Sequence, residues 1–236
     1  MAPPSTLLAA ERRHDDGAPA RPARTQDPDG VRRDILDVAK AEFAAKGFSG
    51  ARVDEIAART RTSKRMLYYY FGDKEGLYMA ALEDVYLAIR REETNLELDS
   101  LDPEQALATL TAFTFDYHNA NTDFVRIVMN ENILGAAFLR RSAAVRAASH
   151  GAIDALTRII ARGQKAGVFR KAIDPIDLHM TISALAFYNV SNQPTFSSVF
   201  KVDMISPAAL ALRRSQVVET VGHYARREGT GAVRKR

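Results

Sequence analysis

The stretch from Val53 to Tyr78 constrains the fold of this chain more than any other. It contains two short amphipathic segments separated by only a few residues. In the first segment, Val53, Ile56 and Ala57 recur at the i, i+3, i+4 spacing of one helical face. The second segment begins at about Ser63, and the hydroxyl of Ser63 or Thr62 can cap it by accepting a bond from a free backbone N–H. Two short helices joined by a tight connection predict a helix-turn-helix.

The second segment is predicted to be a helix with a buried and an exposed side. Met66, Leu67 and Phe71 can face inward. The exposed side then carries cations and phenols, namely Lys64, Arg65, Tyr68, Tyr69 and Tyr70. Such a helix fits the major groove of B-form DNA, where side chains meet base edges and phosphates. The alternative is a packed aromatic cluster beside an ordinary solvated face, but the order of cap, cations, aromatics and a following Lys74 favours DNA binding.

Positions in this stretch resemble the signature of the TetR family of one-component transcriptional regulators. The matching positions are Ile56-Ala57, Ser63-Lys64, Leu67-Tyr68, Phe71, Lys74 and Leu77. The resemblance implies that Ser63, Lys64, Arg65 and Tyr69 lie on the groove side, and that Tyr68, Tyr70 and Lys74 hold phosphates. Thr62, in the turn, completes the predicted DNA-binding residues. Two positions depart from the pattern: Arg61 stands where members often have glycine, and Arg52 stands at a threonine N-cap position.

Composition limits the class of protein. The chain has 236 residues with 46% apolar content, enough for a real core and two domains. It has no cysteine, which excludes disulfides and thiolate metal sites and is compatible with a reducing cytoplasm. We see no long apolar run or export signal, so we expect a cytoplasmic protein without a membrane span.

The pattern along the chain predicts an all-α protein, with a three-helix DNA-binding head and a larger helical bundle for ligand binding and dimerisation. The expected divisions are a disordered tail over 1–30, the head over 31–78, the body over 79–227 and a basic tail over 228–236. Residues Arg21 and Arg24 leave open a second interpretation of the first tail, as an arm in a minor groove.

Several helix boundaries follow from caps and breakers. The first helix is expected to run from Val31 to Ala45 and to end at Lys46-Gly47. A helix from Asp73 to about Asn95 belongs to both head and body, and could carry a shift of one into the other. Further helices are predicted over 103–119, 122–134 and 142–165, with two more opening at Asp174-Pro175 and Ser206-Pro207. No strand is expected.

The last two predicted helices are the expected self-association surface. The helix after Asp174 is apolar nearly all round, and such helices are covered on every side. The family resemblance implies a four-helix dimer interface, for which the predicted residues are Ile182, Leu185, Leu210, Val217, Val221 and Tyr224. A monomeric bundle core is the alternative.

Polar residues set among apolar ones in the middle helices are candidates for an effector site. They are His118, Arg126, Asn130, Tyr188 and Asn192, with Asn132 and His179 as further candidates. The runs FVRIVMNENILGAAFL and FYNVSNQPTFSSVF resemble the body of a TetR subgroup that controls catabolism of pyrimidines or nicotinate-like rings. This resemblance implies a small effector that is planar and polar or anionic, with Arg126 or His118 as its counter-charge.

The predicted function is therefore a homodimeric repressor that binds a palindromic operator and is released by a small-molecule effector. An activator, or a regulator that needs its ligand to bind DNA, is the alternative within the same fold. An enzyme is disfavoured because no HExxH motif, cysteine or glycine-rich phosphate loop occurs, and no metal or cofactor is expected. A helical protein-binding adaptor would leave Lys64, Arg65 and the tyrosines without a role.

Overall fold

A computed structural model describes residues 27–60 and 62–227. The described residues form ten α-helices and no strand, so the predicted all-α fold is confirmed, although the helix over Gln193–Phe200 was not predicted. The helices are α1 (Pro28–Gly50), α2 (Val53–Arg59), α3 (Lys64–Phe71), α4 (Lys74–Thr94), α5 (Pro103–Ala120), α6 (Thr122–Ile133), α7 (Ala143–Lys165), α8 (Pro175–Ser191), α9 (Gln193–Phe200) and α10 (Pro207–Ala225).

The start of α1 corrects the predicted boundary of the N-terminal tail. The helix begins at Pro28, and the Asp27 carboxylate caps it by accepting a bond from Asp29 N at 3.2 Å. Proline is tolerated here because the first helical turn leaves its N–H groups unpaired in any case. Residues 27–30 are therefore part of the folded head, while the proposed arm residues lie outside the described part of the chain.

Gly47 ends the regular part of α1, as predicted. Its φ of 68° and ψ of 176° interrupt the helix, and the chain turns toward α2. A positive φ favours glycine because it carries no Cβ. The Asn130 side chain of α6 lies against this turn and donates a hydrogen bond from Nδ2 to Phe43 O at 3.2 Å.

One hydrophobic cluster joins the head to the body. It contains Ile35 and Phe43 of α1, Leu67 of α3, Leu77 of α4 and Ile127 of α6, all nearly inaccessible to solvent. Helix α4 runs through this cluster, as expected for an element shared by the two parts. A movement of α4 or α6 would consequently change the packing of α1 and α3 in the head.

A buried carboxylate holds the segment after α6 against α4. Glu131 Oε1 accepts hydrogen bonds from Phe138 N and Leu139 N, both at 2.8 Å, while Tyr78 Oη donates to Glu131 Oε2 at 3.3 Å. Near the start of α7, Ser142 Oγ lies 2.6 Å from Glu83 Oε1 of α4. The end of α6 is thus tied to the same helix that enters the head.

The body contains a second core between α5, α7, α8 and α10. Leu107, Leu156, Ile159, Ile182 and Val221 lie in it. Arg162 of α7 closes one end by donating to the carbonyl oxygens of Leu98, Asp99 and Leu101. None of the described helices is long and apolar enough to cross a membrane.

Three of the six predicted interface residues lie inside the subunit instead. Ile182, Val217 and Val221 are almost fully buried, because their sides of α8 and α10 pack in the cores of their own subunit. Leu185 and Leu210 are half-buried and Tyr224 is exposed. Ile176, Met180 and Tyr188 of α8 face solvent in the single subunit, so the prediction that α8 is covered on every side depends on a partner subunit.

Candidate nucleic-acid interface and ligand cavity

Helix α3 is anchored by one side and presents the other to solvent. Leu67 is 1% exposed and fixes the helix in the head core, while Met66 and Phe71 are only half-buried. Around the rest of the helix Lys64, Arg65 and Tyr68 are exposed, and Tyr69 is 77% exposed. Ser63 caps the helix as predicted, with its Oγ 3.3 Å from Met66 N. The cap leaves the N-terminal turn of α3 open to a ligand.

The turn before α3 is held by threonine hydroxyls. Thr60 Oγ1 donates to Ile56 O at 2.9 Å, and Thr62 Oγ1 donates to Thr60 O at 3.1 Å. The Thr62 hydroxyl therefore already has a structural partner. Arg52 provides no side-chain cap for α2, and instead its carbonyl accepts from Ile56 N and Glu55 N. Arg61 lies outside the described residues.

Acidic partners divide the cations of this region into two groups. Arg59 lies 3.4 Å from the buried Glu42 carboxylate of α1, so it belongs to the scaffold of the head. Lys64 Nζ lies 2.9 Å from Asp54 Oδ1 of α2, and both side chains remain well exposed. The hydrogen bond to Asp54 raises the pKa of Lys64 and so favours its charged form. Lys64 is a cation with an exchangeable partner.

The remaining predicted phosphate contacts lie at the edge of the same surface. Lys74 begins α4, where its Nζ is 3.4 Å from Ser49 O and 5.0 Å from the Phe48 ring centroid. Tyr70 is half-buried and its ring packs edge-on against Tyr69, with centroids 5.3 Å apart. Lys74 and Tyr70 thus already have contacts within the head.

The five predicted effector residues do not converge. His118 is buried between Phe124 and Phe187, and its Nδ1 has no hydrogen-bond partner. Burial, with a smaller contribution from Arg90, lowers the pKa of His118 to about 4. Arg126 is exposed on α6, and Asn130 is used at the Gly47 turn. Tyr188 and Asn192 lie at the far end of α8.

A cavity does lie in the body, between α4, α5, α7 and the 98–100 turn. Its volume is about 900 Å³, and none of the five predicted effector residues lines it. Leu87, Leu98 and Leu110 supply apolar wall, while Arg90 and Glu93 of α4 form a largely buried ion pair at its side. Burial raises the pKa of Glu93 against the opposing effect of Arg90.

Sequence reasoning missed this cavity for a physical reason. Arg90 and Glu93 have the i, i+3 spacing of an ordinary surface ion pair, and only the packing of α7 makes them an inner wall. A usable signal was the series of small residues on α7, because Ala147, Ala148, Gly151, Ala152 and Ala155 leave the space that the cavity occupies.

An outward-facing, N-capped α3 that follows a tight turn defines a helix-turn-helix DNA-binding protein. The helices after this head form its regulatory body. Residues 35–81 match the family model "Bacterial regulatory proteins, tetR family", and residues 103–221 match the model "Tetracyclin repressor-like, C-terminal domain". The chain belongs to the TetR family of transcriptional regulators.

Known proteins similar to this chain agree with that assignment. The HTH-type transcriptional repressor NicS of Pseudomonas putida is 38% identical over 188 residues, which cover 80% of this chain and 89% of NicS. The repressor SCO4008 of Streptomyces coelicolor is 32% identical, over 70% of this chain and 81% of its own. The crystal structure of SCO4942 from the same organism aligns with a TM-score of 0.63 and 30% identity, covering 83% of this chain and 98% of that one.

Proposed function

We propose that this protein is a homodimeric repressor that holds an inverted-repeat operator through two copies of α3 and releases it when a small effector binds the body. The observation that carries the proposal is the orientation of α3. Its anchor, Leu67, is buried, whereas Lys64, Arg65 and Tyr69 face solvent beside a capped N-terminus. We expect it to act in the cytoplasm, where the DNA of its bacterial relatives lies.

The DNA contacts follow from this geometry. An N-terminal turn with Ser63, Lys64 and Arg65 suits base edges and phosphates in a major groove, and Tyr69 extends the contact along the helix. Thr62, Tyr68, Tyr70 and Lys74 lie around this turn as candidate phosphate contacts. On DNA, a phosphate can replace Asp54 as the partner of Lys64, so binding would release counterions and depend strongly on salt.

A single head offers few base contacts, which is why the proposal includes a dimer. Two heads related by a two-fold axis read half-sites that are one or more helical turns apart, in multiples of roughly 34–36 Å. The head would comprise residues 27–78 and the body the remaining described helices. Leu185, Leu210 and Tyr224 remain interface candidates, together with the exposed Ile176 and Met180 of α8.

The effector is proposed to bind the 900 Å³ cavity between α4, α5 and α7. Its mostly apolar wall and its charged edge suit a small planar molecule with a polar or anionic group. Helix α4 lines the cavity with Leu87 and Arg90 and packs in the head core with Leu77. A ligand that prefers one position of α4 would thereby change the head spacing, with a coupling of about 1–3 kcal/mol.

Selection of duplexes from a random library by the purified protein tests the proposal. We expect an inverted repeat, bound by a dimer, with a steep decrease of affinity with salt. Recovery of single unpaired half-sites would reject the dimeric part of the proposal. Failure to enrich any duplex would reject sequence-specific DNA binding altogether.

A further inference from the structure

The largely buried ion pair in the wall of the effector cavity leaves hydrogen-bonding capacity unused. Arg90 and Glu93 of α4 both line the cavity, and their side chains are 15% and 10% exposed. Within the described part of the chain, the Arg90 guanidinium donates one hydrogen bond, from Nη1 to Glu93 Oε2. Its Nε is inaccessible to solvent and has no acceptor there. Because a guanidinium carries five N–H donors in a fork that fits a carboxylate, Arg90 can bind a further acceptor.

The other charged residues that line the cavity are exposed. They are Arg91, Glu97, Asp99 and Arg158. Asp99 Oδ2 lies 3.3 Å from Arg158 Nε, and an exposed pair of this kind contributes little because water and salt screen it. Among the described lining residues, Arg90 and Glu93 are therefore the two charged groups that folding takes largely out of water.

The titratable side chains packed around Arg90 favour their uncharged forms. They are Tyr86 of α4, His118 of α5 and His179 of α8. Burial lowers the pKa of His118 to about 4 and also lowers the pKa of His179, and Arg90 adds to both shifts. Burial raises the pKa of Tyr86. Near neutral pH these three groups therefore add no negative charge that would compete with a ligand for Arg90.

A second carboxylate beside Arg90 would compete with Glu93. The apolar wall that Leu87, Leu98 and Leu110 supply suits the ring of a planar acid, whose carboxylate then needs a cation. Two carboxylates that share a site at close range do not both stay ionised, so the pKa of one of them rises strongly. Burial already raises the pKa of Glu93 against the opposing effect of Arg90. Glu93 is therefore closer to accepting a proton than an exposed glutamate would be.

We propose that Arg90 binds the carboxylate of a planar aromatic acid in this cavity, and that Glu93 gives up its place at the guanidinium and takes up a proton from solvent. This inference rests on the effector cavity of the proposed function and deepens it by naming a monoanionic aromatic acid as the ligand class. The hydrogen bond from Arg90 to Glu93 breaks, and Arg90 donates to the ligand instead. The site then holds one cation and one anion, as it did before binding, so no buried charge is left without a partner.

Isothermal titration calorimetry of the full chain with naphthoate and with its neutral isostere naphthamide tests the exchange. Naphthoate should bind on the order of tenfold more tightly than naphthamide, because its hydrogen bonds to Arg90 are charge-assisted. Titrations in buffers of different ionisation enthalpy should show net proton uptake with naphthoate, approaching one proton per ligand, and none with naphthamide. The naphthoate dissociation constant should accordingly rise as the pH rises above neutrality, by up to about tenfold per pH unit. Equal affinity for acid and amide, or naphthoate binding without proton uptake, would overturn the proposal.

Variants of the pair assign the two roles. Glu93→Gln should bind naphthoate on the order of tenfold more tightly than the wild type and without proton uptake, since the competing negative charge is gone. Arg90→Gln should bind the acid no better than the amide. Because Arg90→Gln leaves a largely buried carboxylate without its partner, the double variant Arg90→Gln with Glu93→Gln is measured too, and it should also lack the preference for the acid. Arg158→Gln is the matched control, because Arg158 lines the same cavity but is exposed, and it should bind both compounds like the wild type.

The possible failures of this inference are distinct from a failure of the proposed function. A loss of acid preference in Arg158→Gln instead of Arg90→Gln would place the anion at the exposed arginine and refute the role of Arg90. Proton uptake that persists in Glu93→Gln would belong to His118 or His179 and would refute the role of Glu93. Both results would leave the cavity as the effector site. A wild type that binds neither compound would overturn the inference, while the selection of operator duplexes tests the repressor independently of any ligand.

Discussion

Lys64 of α3 and Asp54 of α2 form an ion pair across the helix-turn-helix, with Nζ 2.9 Å from Oδ1. Both side chains are largely solvent-exposed, and the pair lies on the surface that we propose for DNA. An exposed ion pair contributes little to folding stability. The pair instead positions the Lys64 side chain, because Asp54 holds its ammonium group near α2 while no DNA is present.

This pair predicts opposite effects of its two partners on DNA binding. Lys64→Ala should weaken operator binding and lower the slope of log affinity against log salt by about one, since one phosphate-neutralising cation is lost. Asp54→Asn should strengthen binding, because it removes a negative charge that repels phosphates and frees Lys64. Titration of fluorescent operator DNA at several salt concentrations measures both. Weaker binding by Asp54→Asn would mean that the carboxylate is needed to orient Lys64.

Replacing Tyr69 should weaken operator binding without destabilising the fold. Its side chain is 77% exposed, so Tyr69→Ala should change the free energy of unfolding by no more than about 0.5 kcal/mol. Operator affinity should nevertheless decrease by roughly tenfold, because the ring is proposed to lie in the groove. Leu67→Ala is the contrasting variant and should cost about 2–5 kcal/mol of stability. Unchanged affinity of folded Tyr69→Ala would remove Tyr69 from the interface.

The features that were predicted correctly from the sequence depend on residues close together in the chain, whereas those that were missed depend on contacts between distant helices. The cap at Ser63, the stop at Gly47 and the start of α10 at Pro207 depend on neighbours in sequence, and all were predicted. The burial of Val221 depends on α5, which is far away in sequence, and the apolar pattern of α10 could not show which side would be covered. The cavity beside Arg90 depends on where α7 packs, which no local pattern specifies.

His118 predicts a pH dependence of stability. Burial, aided by Arg90 and His179, lowers its pKa to about 4, compared with 6.5 for an unperturbed histidine. Between these values the unfolded chain binds a proton that the folded chain does not, so stability is complete above pH 6.5 and is lost as the pH falls toward 4. The loss should be on the order of 3 kcal/mol.

Urea denaturation of wild type and His118→Phe between pH 4 and 7 measures this contribution. The aromatic replacement fills the space between Phe124 and Phe187 without a titrating group, so its stability should decrease less over this range. His179, whose pKa burial also lowers, remains in both proteins and accounts for part of the residual slope. Parallel pH profiles would show that His118 does not carry the effect.

The link between α6 and α4 should depend on the single carboxylate of Glu131. Glu131→Ala leaves the buried N–H of Phe138 without its acceptor and also removes the acceptor of Leu139, so it should destabilise the protein by about 3 kcal/mol. Tyr78→Phe should cost only about 1 kcal/mol, since it removes one hydrogen bond. Glu131→Gln keeps an acceptor oxygen and should lie between them. Chemical denaturation gives all three values, and equal losses for Ala and Gln would show that the charged carboxylate with both its oxygens, not one acceptor oxygen, is needed at this position.

The cavity between α4, α5 and α7 predicts that filling it abolishes the effector response and spares DNA binding. Ala155 lines the cavity from α7, and Ala155→Phe should place a ring where the effector is proposed to bind. Thermal-shift screening of planar aromatic acids first identifies a ligand for the wild type, which at 100 times its dissociation constant should stabilise the fold by about 2.7 kcal/mol. The same ligand should neither stabilise Ala155→Phe nor release it from operator DNA. Ala161→Phe, at an exposed position on α7 outside the cavity, should respond like the wild type. An Ala155→Phe variant that binds the ligand with wild-type affinity would place the effector away from the part of the cavity that Ala155 lines.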